Sequence, residues 1–313
     1  MHPSIAVIGA GAVGVLATAS LLDAGHTPTV CVRTPFDSMV LDSPRGRRTL
    51  RVPVVSDPAR VGPVDWVLVT VKAQDTAGAA PWFARLVGPQ TVVAALQNGV
   101  EHRERLEPFV GGAPVLPVVV YLVAERVAPG RVVHHRGLRL VVTPGAHSAP
   151  FAQLFEGSEM EVSEEADLTT ALWRKLLSNV AVNPLTALTM RRVDVMGEPG
   201  MPELGRGILT EALAAAQAEG ARLGPADVDA IVSRYIDAGS GPTHGTSTYY
   251  DRLAGRPMEH DDINGAVVRA ARRHGIATPL NDLILTLMRA LDKGRQCESE
   301  PVPAPARPGG APD

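Results

Sequence analysis

The sequence predicts an α/β domain followed by an all-helical domain. Three observations carry this expectation. Largely apolar runs such as Ile5–Ile8, Asp65–Val71 and Thr91–Leu96 recur through the first half, as strands buried on both faces of a parallel sheet do. A glycine-rich turn, Gly9-Ala10-Gly11-Ala12-Val13-Gly14, joins the first run to an apolar, alanine-rich stretch. From Asp167 on, apolar residues recur at helical spacing. The expected division is 1–165 for the α/β domain, 166–295 for the helical domain and 296–313 for a tail. The tail is rich in Pro, Ala and Gly and lacks periodicity, which marks it as disordered.

In order, Ile5–Ile8 is a strand, Val15–Ala24 a helix stopped by Gly25, and Thr29–Val32 a second strand. The G-x-G-x-x-G turn therefore sits inside a βαβ unit. There the glycines allow a tight turn and close pyrophosphate approach, and the helix N-terminus attracts phosphates, which points to a Rossmann-type dinucleotide site at Gly9, Ala10, Gly11, Ala12, Val13 and Gly14. An NAD site carries an acidic residue at the end of the second strand. This chain has Arg33, whose guanidinium suits a 2′-phosphate, so NADP(H) is expected over NAD(H); the alternatives are an arginine that only caps the sheet edge toward solvent, and the nearby Asp37 as the acidic residue. Val52–Val55 reads as a short strand, edge-like because of Pro53. Asp65–Val71 runs into Lys72 and Thr91–Leu96 runs into Gln97-Asn98-Gly99, so Lys72 and Asn98 stand at strand carboxyl ends, where open α/β sheets bind ligands. The alternatives are a solvent-facing lysine and a simple Asn-Gly turn. Asp75–Leu86 reads as a crossover helix. Val115–Val123 and Arg139–Val142 read as strands that turn near Pro129-Gly130 and extend the sheet, Pro144–Pro150 as a loop, and Ser158–Val162 as a further strand.

In the helical half, Asp167 is the expected N-cap of a helix carrying Lys175, Asn179 and Asn183 at four-residue intervals. That spacing puts the three on one face among Leu176, Leu177, Val180 and Leu185, and Pro184 is expected to break the helix near Asn183. A lysine and two amides in apolar surroundings need partners. A polar ligand is one partner, and a structural polar seam is the other. Further helices are expected over Glu203–Leu223, Asp227–Ala238, Ile263–His274 and from Pro279 to near Lys293, with a polar, glycine-containing segment at Gly239–Thr248. Glu259 reads either as a substrate-binding carboxylate or as a helix-start charge.

The totals narrow the function. Of 313 residues, 45% are hydrophobic and 20% charged, and the net charge is -3, which argues against general nucleic-acid binding. Two cysteines, Cys31 and Cys297, cannot build a disulfide framework, and no histidine spacing fits a metal. No signal peptide or membrane span is expected, so the expected setting is cytoplasmic. The glycine turn lacks the G-K-[ST] ending of an NTP-binding loop. Nicotinamide redox chemistry remains, in which a lysine of lowered pKa can serve as proton donor.

From about Ile5 to Lys293 the chain resembles the ketopantoate reductase (2-dehydropantoate 2-reductase) family. The resemblance rests on the glycine turn, Arg33, Val71-Lys72-Ala73, Gln97-Asn98-Gly99, Trp173-Arg174-Lys175-Leu176 through Asn179 and Asn183-Pro184-Leu185-Thr186, Thr246-Ser247, and Glu259 with Ile263-Asn264-Gly265. It implies an oxidoreductase that converts 2-dehydropantoate to pantoate in pantothenate biosynthesis, with hydride from NADPH to C2 and Lys175 as general acid. It further implies that Glu259 binds substrate and orients the lysine, and that Asn179, Asn183 and Ser247 hold the substrate hydroxyl and carboxylate. Asn98 would touch both cofactor and substrate, with Lys72, Arg33 and Glu259 serving NADP(H). Where the family often has S-M-x-Q-D, this chain has Ser247-Thr248-Tyr249-Tyr250-Asp251. Two other readings stand beside it: a reductase of another 2-oxo acid on the same lysine, and a non-catalytic NADP-binding sensor. A small-molecule 2-oxo acid partner and a possible homodimer complete the expectation, with no nucleic acid, membrane or metal.

Overall fold

The computed structural model describes residues 3–238 and 244–298. Gly239–Thr243 of the polar segment and residues 299–313 of the expected tail lie outside the described residues.

The first half is built on a six-stranded parallel sheet. Its strands are β1 (Ile5–Ile8), β2 (Thr29–Cys31), β5 (Val54–Val55), β6 (Trp66–Val69), β7 (Val92–Ala95) and β8 (Val115–Pro117), in the order β5-β2-β1-β6-β7-β8. The strands read as continuous apolar runs because both faces are covered. Ile5 and Val7 join one core with Leu16 and Leu21 of α1 (Ala12–Asp23), while Ala6 and Ile8 join another with Trp82, Phe83 and Leu86 of α2 (Ala80–Leu86). The chain runs to β2 and β5 on one side of β1 and returns to β6 on the other. The crevice at that reversal lies beyond the carboxyl ends of β1 and β6, which lead into the glycine turn and Lys72.

The second sheet differs from the expectation. β3 (Met39–Ser43) and β4 (Gly46–Leu50) form a hairpin whose second strand carries no apolar alternation, since four of the five β4 residues are exposed. The stretch expected as one strand over Val115–Val123 divides after Pro117, because proline has no N–H to continue the ladder. β9 (Val119–Ala128) then pairs antiparallel with β10 (Arg131–Val142) through a turn at Pro129-Gly130. These strands do not extend the first sheet. With β3, β4 and β11 (Glu161–Glu164) they form a separate one, and α1 packs between the two sheets. The expected crossover helix over Asp75–Leu86 is two short 3₁₀ turns followed by α2. α3 (His102–Leu106) follows β7, and α4 (Ser148–Gln153) starts inside the expected loop.

The second half is helical: α5 (Leu168–Val180), α6 (Val182–Thr189), α7 (Met201–Ala218), α8 (Pro225–Ala238), α9 (Ser247–Leu253), α10 (His260–Arg273) and α11 (Pro279–Glu298). α7 packs against α5, α8, α10 and α11. Asp167 caps α5 by accepting from the Thr170 N–H at 3.0 Å. α11 continues to Glu298, past the expected stop near Lys293. The helix break also differs: α5 ends at Val180 and α6 runs unbroken through Asn183-Pro184-Leu185. The interruption is at Ala181. Pro184 lies in the first turn of α6, where a missing N–H is tolerated. Among the described residues, no helix is long and apolar enough to cross a membrane.

Candidate active site

The glycine turn is shaped by backbone contacts. A Cβ on Gly14 would stand 2.1 Å from the Gly9 carbonyl oxygen and 2.6 Å from Thr70 Oγ1. Gly9 has φ +106°, and a Cβ there would stand 3.0 Å from Val71 and 3.2 Å from Thr70. Thr70 locks the turn by donating its hydroxyl to the Ile8 and Gly9 carbonyls at 2.9 and 3.0 Å. Gly11 is different, for nothing lies within 4 Å of its Cβ position. It caps α1 without a side-chain bond, and the first turn has no acidic residue. Open space over uncapped N–H groups at a helix N-terminus suits a pyrophosphate, so the turn fits a dinucleotide. Arg33 stands exposed just past β2, with no ion pair among the described residues.

The strand ends of the sheet meet the helical half at Glu259. This carboxylate is 4% exposed and immediately precedes α10. It accepts from Asn98 Nδ2 at 3.1 Å and lies 3.9 Å from Lys72 Nζ. Lys72 also donates to Asp251 on α9, whose other oxygen accepts from Arg256 Nε at 3.0 Å. Lys72, Asn98 and Glu259 are thus brought together, although they are up to 187 positions apart in sequence.

Lys175 is half-buried on α5, its ammonium 5.3 Å from the ring centroid of Tyr121 on β9. Among the described residues it has no carboxylate partner. Burial pushes its pKa below the ordinary lysine value. The π-face of Tyr121 opposes this by favouring the charged form. No ion pair joins Glu259 to Lys175. The carboxylate is placed on Asn98 and Lys72 instead. Asn179 follows on α5, its carbonyl 3.4 Å from Ser178 Oγ, and Asn183 is 4% exposed in the first turn of α6. Ser247, exposed, opens α9 next to Thr246, which bonds Thr186 of α6 across 2.7 Å. The structure therefore places α5, α6 and α9 side by side but leaves Asn179, Asn183 and Ser247 unlinked to one another.

A family model described as ketopantoate reductase PanE/ApbA matches residues 5–147, and one described as ketopantoate reductase PanE/ApbA C terminal matches residues 167–292. The chain belongs to the ketopantoate reductase family. It is 40% identical over 291 residues to a 2-dehydropantoate 2-reductase of Caulobacter vibrioides, covering 92% of this chain and 98% of that one. It is also 40% identical over 297 residues to that of Mycobacterium tuberculosis, covering 94% and 99%. Its structure superposes on a dimeric ketopantoate reductase from Staphylococcus aureus with a TM-score of 0.84 and 29% identity, over 93% of this chain and 99% of that one.

Within this family frame, three residues without an assigned role in the sequence reading prove central to the geometry. Asp251, on α9, pairs with Lys72 at the carboxyl end of β6 and is 4% exposed; in the sequence it is only one more acid at the end of the Ser247–Asp251 segment, with no local signal of its partner. Tyr121 supplies the ring beneath Lys175, and nothing local distinguishes it from a strand aromatic. Gln97 donates its amide to the Val71 carbonyl and to Thr76 Oγ1, both at 2.9 Å, and so ties the loop bearing Lys72 to the one bearing Asn98. Tyr249 and Tyr250, the bulky departure from the family segment, pack edge to face at 5.3 Å, and the Tyr250 hydroxyl accepts from the Gly245 N–H.

Proposed function

We propose that this protein reduces 2-dehydropantoate to pantoate, with NADPH as the hydride source and Lys175 as the proton donor. The observation that carries the reading is a desolvated lysine without a carboxylate partner, on a helix that packs against α10, the helix that starts just after the buried carboxylate of Glu259.

In this reading the N-terminus of α1 and Gly11 hold the pyrophosphate, and Arg33 takes the 2′-phosphate. Lys72 and Asn98 hold the nicotinamide side. When bound, NADPH supplies a hydride to C2 of the 2-oxo acid. Lys175 Nζ gives a proton to the C2 oxygen as alkoxide charge develops. Desolvation makes this easier, because a lowered pKa brings an ammonium closer to working pH as an acid. The Tyr121 ring keeps the side chain in place. Asn179, Asn183 and Ser247 bind the carboxylate and hydroxyl of the substrate, and Glu259, held by Asn98, accepts from the hydroxyl. A homodimer belongs to the same reading, on the likeness to the dimeric Staphylococcus aureus enzyme, and sedimentation at assay concentration tests it.

Steady-state kinetics with NADPH, ketopantoate and a panel of small 2-oxo acids decide the function. Ketopantoate is expected to give the highest kcat/KM. If another acid is reduced well and ketopantoate is not, the protein is a related reductase. If NADPH binds but no acid is reduced, it is a sensor.

A further inference from the structure

The carbonyl of Val180 ends α5, and the N–H that would close on it in a continuous helix belongs to residue 184. That residue is proline, which has no N–H. A buried carbonyl without a donor is destabilising. Asn264 of α10, 1% exposed, fills the gap by donating Nδ2 to the Val180 oxygen at 2.9 Å. The same amide donates to Asn281 Oδ1 at 3.1 Å. Asn281, fully buried, donates in turn to the Ile208 carbonyl at 3.1 Å and to Glu211 at 2.8 Å, and Glu211 also accepts the first-turn N–H groups of Leu280 and Asn281 at 2.9 Å each. One amide therefore anchors the α5–α6 break to a network spanning α7, α10 and α11.

We propose that Asn264, acting with Pro184, is a positioning residue that sets the register of the substrate-facing groups. α5 before the break bears Lys175 and Asn179, and α6 after it bears Asn183. α10, which bears Asn264, begins immediately after Glu259. The bond from Asn264 to Val180 thus fixes the element that carries Glu259 against the element that carries Lys175. Pro184 denies that carbonyl its backbone partner and reserves it for Asn264. Neither residue is called on to touch substrate or cofactor. The proposal rests on the functional reading above.

The test compares wild type with Asn264→Asp, Asn264→Ala and Pro184→Ala. Asn264→Asp keeps the shape but offers an acceptor where the carbonyl needs a donor. Pro184→Ala restores a backbone N–H and invites the helix to close through Ala181. For each folded variant, NADPH affinity is measured by fluorescence titration, kcat and KM with the 2-oxo acid, and amide exchange over residues 176–186. Expected are an NADPH Kd within about threefold of wild type and kcat/KM for the 2-oxo acid lowered by roughly tenfold to a hundredfold, the scale of a small misplacement of catalytic groups. Exchange is expected to rise across the break in the Asn264 variants and to fall in Pro184→Ala. Folded variants that keep kcat/KM within about threefold overturn the proposal. If the Asn264 variants do not fold, Pro184→Ala decides alone on the same criteria. Wild type that turns over no 2-oxo acid sinks the functional reading instead, and the exchange pattern then still decides whether Asn264 and Pro184 govern the break.

Discussion

The two sides of the site are made by opposite means. On the sheet side, backbone does most of the work: a glycine turn whose Cβ positions are either blocked or open, and the free N–H groups of α1. On the helical side the groups are side chains on α5 and α6 and just before α10, held by ion pairs and amides that reach across the molecule. The comparison teaches where each half is vulnerable. Backbone sites fail when volume is added, because there is no side chain to move aside. Side-chain sites fail when a functional group is removed or re-aimed.

The largest expected effect is on the helical side. Lys175→Ala should lower kcat by roughly 10²–10⁴-fold, the range for loss of a general acid, with NADPH affinity little changed. The pH profile sharpens this. A lowered lysine pKa means that the acid is lost as pH rises through that value, so wild-type reduction should decline on an alkaline limb below the ordinary lysine range, and Lys175→Ala should lack that limb. Residual activity within a few-fold of wild type would remove Lys175 from its role.

Two alanines then divide the sheet side. Gly14→Ala drives a Cβ into the Gly9 carbonyl and should cost about 3 kcal/mol in stability, visible in denaturant melts. Gly11→Ala meets nothing and has ordinary backbone angles, so its stability should fall by no more than about 1 kcal/mol, the loss of a glycine N-cap, while NADPH binding weakens. Equal melting losses for the two would break the distinction between packing glycine and ligand glycine.

A comparable but pH-limited effect belongs to His102 on α3. It is buried, its Nε2–H donates to the Gln97 carbonyl at 2.8 Å, and burial pushes its pKa down to about 4. In the unfolded chain its pKa returns to an ordinary value of about 6.5, so stability should fall as pH drops between those values, by about 3 kcal/mol from this group. His102→Gln, which has no charge to acquire, should flatten that part of the stability-pH curve. An unchanged acid slope in urea melts would show that His102 does not set it.

The smallest effect should be that of Arg33→Ala. Losing one exposed guanidinium should weaken NADPH by about tenfold and NADH hardly at all. Equal weakening of both would show that Arg33 does not read the 2′-phosphate.

Much of this was legible because the signals are local. The glycine turn, its flanking strand and helix, and the strand-end positions of Lys72 and Asn98 depend on residues within a few positions of one another. The β3–β4 hairpin is not legible in the sequence because Arg47, Arg48 and Thr49 of β4 face solvent and leave that strand no apolar alternation. β10 was read only at Arg139–Val142, where it is largely buried, and not along its exposed middle. The break at Ala181 is marked only at a distance: Pro184 lacks the N–H that the Val180 carbonyl would need, so the helix parts near that carbonyl and not at Asn183.

The sequence by itself determined an α/β half joined to a helical half, a dinucleotide-type turn, and a lysine set among apolar helix residues. Backbone conformation and apolar periodicity are written in neighbouring residues, so they can be read without the fold. The tertiary structure alone decided the pairings. Glu259 meets Asn98 and Lys72 rather than Lys175, Lys72 meets Asp251, Lys175 rests over Tyr121, and the carbonyl that Pro184 leaves open is closed by Asn264. Each of these joins residues tens to hundreds of positions apart. A charge or a hydrogen-bond donor carries no record of its partner until packing brings the two within reach and excludes the water that would otherwise serve both.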